Sequence, residues 1–186
     1  MLCFCSYLSM RKIEDLVLDI QMFMQDYLRA GVTCEAKVPL ARDVVEQIKY
    51  LDQAKQNFNL ALSKQLCRVE NSPLTETEVT QKLQNISLQL DALTFFNAQF
   101  QSNIPDRILS KSLLDPNNAA FVAEELFMLN NWQLAQTIMN TFARNLDSTS
   151  IYSNTITRIA KAKKITYLND FLRYLKVKNY ILKFLF

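Results

Sequence analysis

The chain has 186 residues, 49% of them apolar and 21% charged, and a formal net charge of +3, an ordinary balance for a globular protein in water. That length suffices to bury roughly 70% of the unfolded surface. One glycine and four prolines are too few for the turns of a β-sandwich or a doubly wound sheet. The expected fold is therefore all-α: antiparallel helical hairpins stacked as a TPR-like α-solenoid or an irregular helical bundle, in one repeat domain over 1–186.

Residues 1–10, MLCFCSYLSM, are apolar, but Arg11 and Lys12 follow the run instead of preceding it, the wrong order for a signal peptide. Asp15 and Asp19 then leave no apolar stretch of about 18 residues that could span a bilayer. The segment reads as a buried helix end or the ragged edge of an incomplete chain. A first helix is expected over 8–30, with Leu16, Ile20, Phe23, Tyr27 and Leu28 on its dry side and Gly31 as its C-cap. A second is expected over 39–67, opened by Pro39, with Val44, Ile48, Leu51, Phe58 and Leu62 in its stripe. Ala54 and Ala61 allow a neighbour to approach closely.

Thr75 and Glu78 have the spacing of a capping box at the start of a helix over 75–100. Along it Val79, Leu83, Ile86, Leu90 and Leu93 form an a/d pattern, read as packing within the same chain. Asn85-Ile-Ser87 matches a glycosylation sequon by letter and, without a secretory signal, reads as chance. Pro105 opens a short helix over 105–114. Asp115 and Pro116 then suit the start of another over 116–129. Asn130 and Asn131 break it, because Asn tolerates left-handed backbone. The next helix, 131–146, carries Leu134, Ala135, Ile138, Met139, Phe142 and Leu146 on one stripe, and so little loop forces an antiparallel pair. A second hairpin follows, with Ser148 or Ser150 capping a helix over 150–162 through Ile151, Tyr152, Ile156 and Ile159. Its partner over 165–177 carries Ile165, Leu168, Leu172 and Leu175. The two hairpins begin about 34 residues apart, the length of a tetratricopeptide-type repeat, though the usual signature residues are not reproduced.

Chemistry has little foothold. There is no histidine, hence no ordinary nucleophile–base pair or imidazole ligand, and a lone glycine cannot build a phosphate-cradling loop. Cys3, Cys5, Cys34 and Cys67 match no zinc spacing and read as reduced thiols of a cytosolic protein. Glu124 with Glu125 reads as a solvated face, and Glu78 as a cap. No catalytic, cofactor-binding or metal-binding residue is assigned. From Arg158 to Lys183 eight basic residues stand against one acid, Asp170, a local charge of +7 that leaves −4 for the rest of the chain. Arg158, Lys161, Lys163, Lys164, Arg173 and Lys176 are the candidate basic surface, for an anionic membrane, an acidic protein or nucleic acid, against the plainer reading of a solvated helix face. Trp132 and Tyr152 are candidates for a partner groove or for packing at the hairpin corners. The apolar tail NYILKFLF reads as the end of a fragment or a surface that docks on a partner.

The runs ISLQLDALTFF, SLLDPNN, VAEELFMLNNWQLAQTIMNTF and IYSNTITRIAKAKKITYLNDFLRYLK occur in this order. Over Thr75 to Lys176, and more weakly over Pro39 to Leu66, they resemble the C-terminal helical-repeat region of the spastizin family of FYVE-finger proteins. The resemblance implies a non-catalytic scaffold in endosome and lysosome trafficking, autophagic lysosome reformation and cytokinesis. It would be cytoplasmic and peripheral to endosomes and lysosomes, or at the midbody. The implied partners are a spatacsin-like protein and the fifth adaptor-protein complex. Phosphatidylinositol 3-phosphate binding in that family belongs to the FYVE finger, whose clustered cysteines and histidines this chain lacks, so membrane association would be indirect. No family site residue maps onto a numbered position here. The alternatives are a self-contained helical adaptor, or a peripheral binder of anionic membrane or nucleic acid through 158–183.

Overall fold

The computed structural model describes residues 13–68, 72–100, 116–142 and 147–177. Among them are eight α-helices, two short 3-10 turns and no strand, so the fold is all-α. The chain divides into two compact units, Met1–Ser110 and Lys111–Phe186, and each is taken by itself.

Unit 1 contains α1 (Glu14–Phe23), α2 (Tyr27–Lys37), α3 (Val44–Ser63) and α4 (Glu76–Phe100), each packed on the next. The single helix expected over 8–30 is two helices. Gln25 adopts a left-handed φ of 56°, and the N–H groups of Gln25 and Asp26 donate to the carbonyls of Met22 and Gln21. This is a Schellman ending. Asp26 then accepts from the Arg29 N–H at 3.3 Å and caps α2. The expected dry side changes with the break. Val17 and Gln21 are the buried residues of α1, while Phe23 is 90% exposed.

Gly31 is not a C-cap. It lies inside α2 and is buried against the ring of Phe58 on α3; a Cβ there would stand 2.6 Å from Phe58 Cε1. The glycine lets two helix backbones approach, which its missing side chain alone permits. Buried polar groups are paired beside it. Asn57 donates to the Cys34 sulfur at 3.8 Å, Thr33 donates to Gln21 at 2.8 Å, and Lys37 is ion-paired with Asp15 below the Tyr50 ring. Val44, Leu51, Ala54, Phe58 and Ala61 form the buried stripe of α3, and Asp43 caps its start. The capping box of α4 forms: Thr75 N–H donates to Glu78 Oε2 at 2.7 Å and Glu78 N–H to Thr75 Oγ1 at 3.3 Å. Val79, Ile86 and Leu93 of the a/d stripe are buried, and α4 packs on α3.

Unit 2 contains α5 (Pro116–Met128), α6 (Trp132–Phe142), α7 (Ser148–Lys161) and α8 (Ile165–Val177). Helix α5 packs on both α6 and α7, and α7 on α8. The first helix of one hairpin thus lies on the first helix of the next, the neighbour relation of a tetratricopeptide-type stack. Ala119, Val122, Ala123, Leu126 and Phe127 of α5 are all buried in the core. Asn130, as expected, is left-handed at φ 64°, and Asn131 N–H donates to the Leu126 carbonyl at 2.9 Å. Lys163 repeats this geometry at φ 55°, with Lys164 N–H reaching the Ile159 carbonyl at 3.3 Å. The cap of α7 is Asp147, which accepts from Thr149 N–H at 2.9 Å; neither serine has that place, because the shorter Asx turn forms one residue earlier. The helix expected over 105–114, Asp115, Leu146, Cys3, Cys5, Lys178, Lys183 and the tail 179–186 lie outside the described residues.

Candidate functional site

Two surfaces stand out from a well-satisfied interior. The first is the end of unit 2 where the turns after α5 and α7 lie side by side. Its frame is aromatic. Trp132, at the start of α6, has its ring centroid 5.0 Å from Tyr174, and 5.9 Å from both Tyr167 and Phe171, all on α8. Phe127 lies 5.3 Å from Phe171 and 5.7 Å from Tyr152. Such tilted and edge-on pairs are the favourable arrangements of ring quadrupoles. The Tyr167 hydroxyl accepts from Trp132 Nε1 at 2.8 Å and donates to the Phe127 carbonyl. Burial pushes the phenol pKa up, and the indole N–H only partly opposes this. Tyr152 is 1% exposed and donates to Gln136 at 2.8 Å. It is therefore core and not a partner groove, and Trp132, at the start of α6, packs along α8 from Tyr167 to Tyr174.

A shallow cleft of about 470 Å³ opens between the turns, lined by Met128, Leu129, Asn130, Lys163, Lys164, Ile165, Thr166 and Tyr167. The six basic candidates separate around it. Arg158 faces α5, 2.7 Å from Glu125 and 3.6 Å from Glu124, which also accepts from Asn154 at 3.1 Å. Its charge is absorbed in the α5–α7 contact. Arg173 stands 3.8 Å from Asp170. Lys161, Lys163, Lys164 and Lys176 are exposed and form no ion pair among the described residues. Lys161 ends α7, Lys163 and Lys164 follow in the turn and line the cleft, and Ile165, placed by periodicity in the apolar stripe, is instead 71% exposed next to them in the chain.

The second surface was not legible in the sequence. Ile13, just before α1, and Leu16 on it are each 43% exposed and Phe23 is 90% exposed, with half-buried Ile20 between them. Their steps of three, four and three residues make a seam like that of a coiled coil. The sequence put Leu16, Ile20 and Phe23 on the dry side of one helix over 8–30; the break at Gln25 divides that helix, and Gln is a weak sign of left-handed backbone.

The carboxylate pairs have structural partners. Glu124 and Glu125 hold Arg158, Glu76 holds Arg68 at 3.1 Å, and Glu78 closes its capping box. Cys34 is fully buried, and that burial pushes its thiol pKa up, away from the reactive thiolate. Cys34 and Cys67 are free thiols, and the described residues hold no cluster of three or more metal-ligating side chains. Among those residues, no helix is long and apolar enough to cross a membrane.

No protein-family model matches the chain, and no solved structure matches it. A curated protein of Dictyostelium discoideum is 28% identical over 182 residues, which cover 95% of this chain and 6% of that protein. The chain thus spans a small part of the length of the relative it matches.

Proposed function

We propose that this chain is a non-catalytic protein-interaction scaffold that binds partner helices along the apolar seam of α1. The observation that carries the reading is the exposure of Leu16 and Phe23 on that seam, because an apolar stripe at three- and four-residue spacing is what helix-in-groove recognition uses. The tetratricopeptide-like neighbour relation of unit 2 supports it, since stacked hairpins serve as extended binding surfaces. In line with the resemblance to the spastizin helical repeats, the partners are a spatacsin-like protein and subunits of the fifth adaptor-protein complex. The setting is the cytoplasmic face of endosomes and lysosomes, in lysosome reformation, and the midbody in cytokinesis.

The test is affinity capture with the 186-residue chain and with its Leu16→Ser/Phe23→Ser variant, reading the spatacsin-like protein and adaptor subunits by mass spectrometry. Recovery that survives moderate salt and is lost in the variant is the expected result. A folded wild-type bait that retrieves neither partner defeats the proposal.

A further inference from the structure

We infer that the end of unit 2 formed by the turns after α5 and α7 docks on a bilayer surface carrying anionic phospholipid, with Lys161, Lys163 and Lys164 meeting the headgroups and Ile165 entering the acyl boundary. Nothing in this inference depends on the scaffold reading.

Three observations on charge and the exposure of Ile165 carry it. Lys161, Lys163 and Lys164 are exposed within four positions, and none is ion-paired among the described residues. No acidic residue lies between Ile159 and Asn169, or between Leu126 and Leu146 across the cleft. The acids that flank these stretches are engaged elsewhere: Glu124 and Glu125 are held by Arg158, Asp170 stands by Arg173, and Asp147 caps α7 at the end opposite Lys161. The positive potential of this end is therefore not cancelled locally, and a basic patch on a folded surface is drawn to anionic lipid within a Debye length.

Charge alone would equally suit a soluble polyanion; Ile165 separates the two. A branched aliphatic side chain 71% exposed among lysines gains nothing in water or against a phosphodiester backbone, but it gains at a headgroup–acyl boundary. The long lysine stems can lie along that boundary while their ammonium groups stay in water. Single-stranded nucleic acid would instead require aromatic faces for bases to stack on. The aromatic residues of this end are engaged with one another: Trp132 with Tyr167, Phe171 and Tyr174, and Phe127 with Phe171.

Co-sedimentation of the full 186-residue chain with phosphatidylcholine vesicles, with and without phosphatidylserine, tests the inference. Binding is expected only to the phosphatidylserine vesicles and should weaken as salt rises. Each lysine near such a surface contributes about fivefold to partitioning, so Lys161→Glu/Lys163→Glu/Lys164→Glu lowers it on the order of a hundredfold or more. Ile165→Ser lowers it by about fivefold, even though it changes no charge. Circular dichroism melts of both variants should match wild type, since all four side chains are exposed. The inference is overturned if folded protein stays in the supernatant with phosphatidylserine, if neutral vesicles bind equally, or if either variant pellets like wild type. Tighter binding to single-stranded RNA than to phosphatidylserine vesicles overturns it in favour of nucleic acid.

Discussion

Substituting Gly31 by alanine sets two effects of known sign against each other. Inside a helix alanine is favoured over glycine by roughly 1 kcal/mol. Against this, the new Cβ would stand 2.6 Å from Cε1 and 2.8 Å from both Cδ1 and Cζ of Phe58, whereas carbon atoms rest at about 3.5–4.0 Å. The helices must therefore separate, or the ring must turn, by about an ångström. Phe58 is fully buried, so the ring has little free space. Overpacking of a tight core costs typically ~1–3 kcal/mol, and three short contacts on one ring place this site in the upper half. The net expectation is a loss of about 1–2 kcal/mol, a fall in melting temperature of about 4 °C or more. Thermal and urea melts followed by far-UV circular dichroism would measure it. The same melts on Phe58→Leu and on the double variant complete a cycle. With the ring gone, alanine at 31 should become neutral or stabilising. A Gly31→Ala variant that melts higher than wild type, or one equally destabilised in both backgrounds, would refute the close-approach argument.

Tyr167→Phe removes the acceptor of the Trp132 N–H and the donor to the Phe127 carbonyl. A loss of about 1 kcal/mol is expected, read in a urea titration of the fluorescence of Trp132, the one tryptophan of the chain; an unchanged midpoint would count against a structural role for the hydroxyl. For Glu78, hydrogen bonds from the Thr75 N–H and then the Thr75 hydroxyl hold the carboxyl below its usual range. Because the folded pKa is the lower one, the stabilisation is present above the unfolded carboxylate value of about 4.3 and is lost as pH falls through the folded value. Glu78→Gln, which cannot ionise, should flatten the fall in melting temperature from about pH 5 downward. Parallel curves for the two proteins would dismiss that coupling.

Sequence periodicity located the helices wherever a buried stripe ran without interruption. The Val79–Leu93 stripe and the capping box at Thr75 are where spacing placed them, because an a/d repeat and a reciprocal cap are local facts. Asn130 was legible for a similar reason, as Asn is a recognised left-handed residue. Gln25 and Lys163 make the same turn with residue types that carry no such signal, so the first break was missed and Phe23 was assigned to the wrong face. Gly31 misled in the opposite direction. A glycine after a helical run reads as a stop, but its use here is to admit the Phe58 ring, a tertiary demand that no local pattern encodes. The basic end was visible as a cluster of letters. Which of its members are already engaged depended on Arg158 meeting two glutamates from a neighbouring helix.

Among the described residues, four left-handed helix endings, at Gln25, Gln65, Asn130 and Lys163, bear on how such a chain drifts. A non-glycine residue in that conformation is disfavoured by roughly 1–2 kcal/mol, and the backbone hydrogen bonds that close the turn act whatever side chain is present. Glutamine, asparagine and lysine can therefore exchange there without altering the path of the chain. The corners of the hairpins impose a shape while leaving almost no letter fixed. A lineage built on them can keep its architecture while losing the signature by which relatives would be recognised.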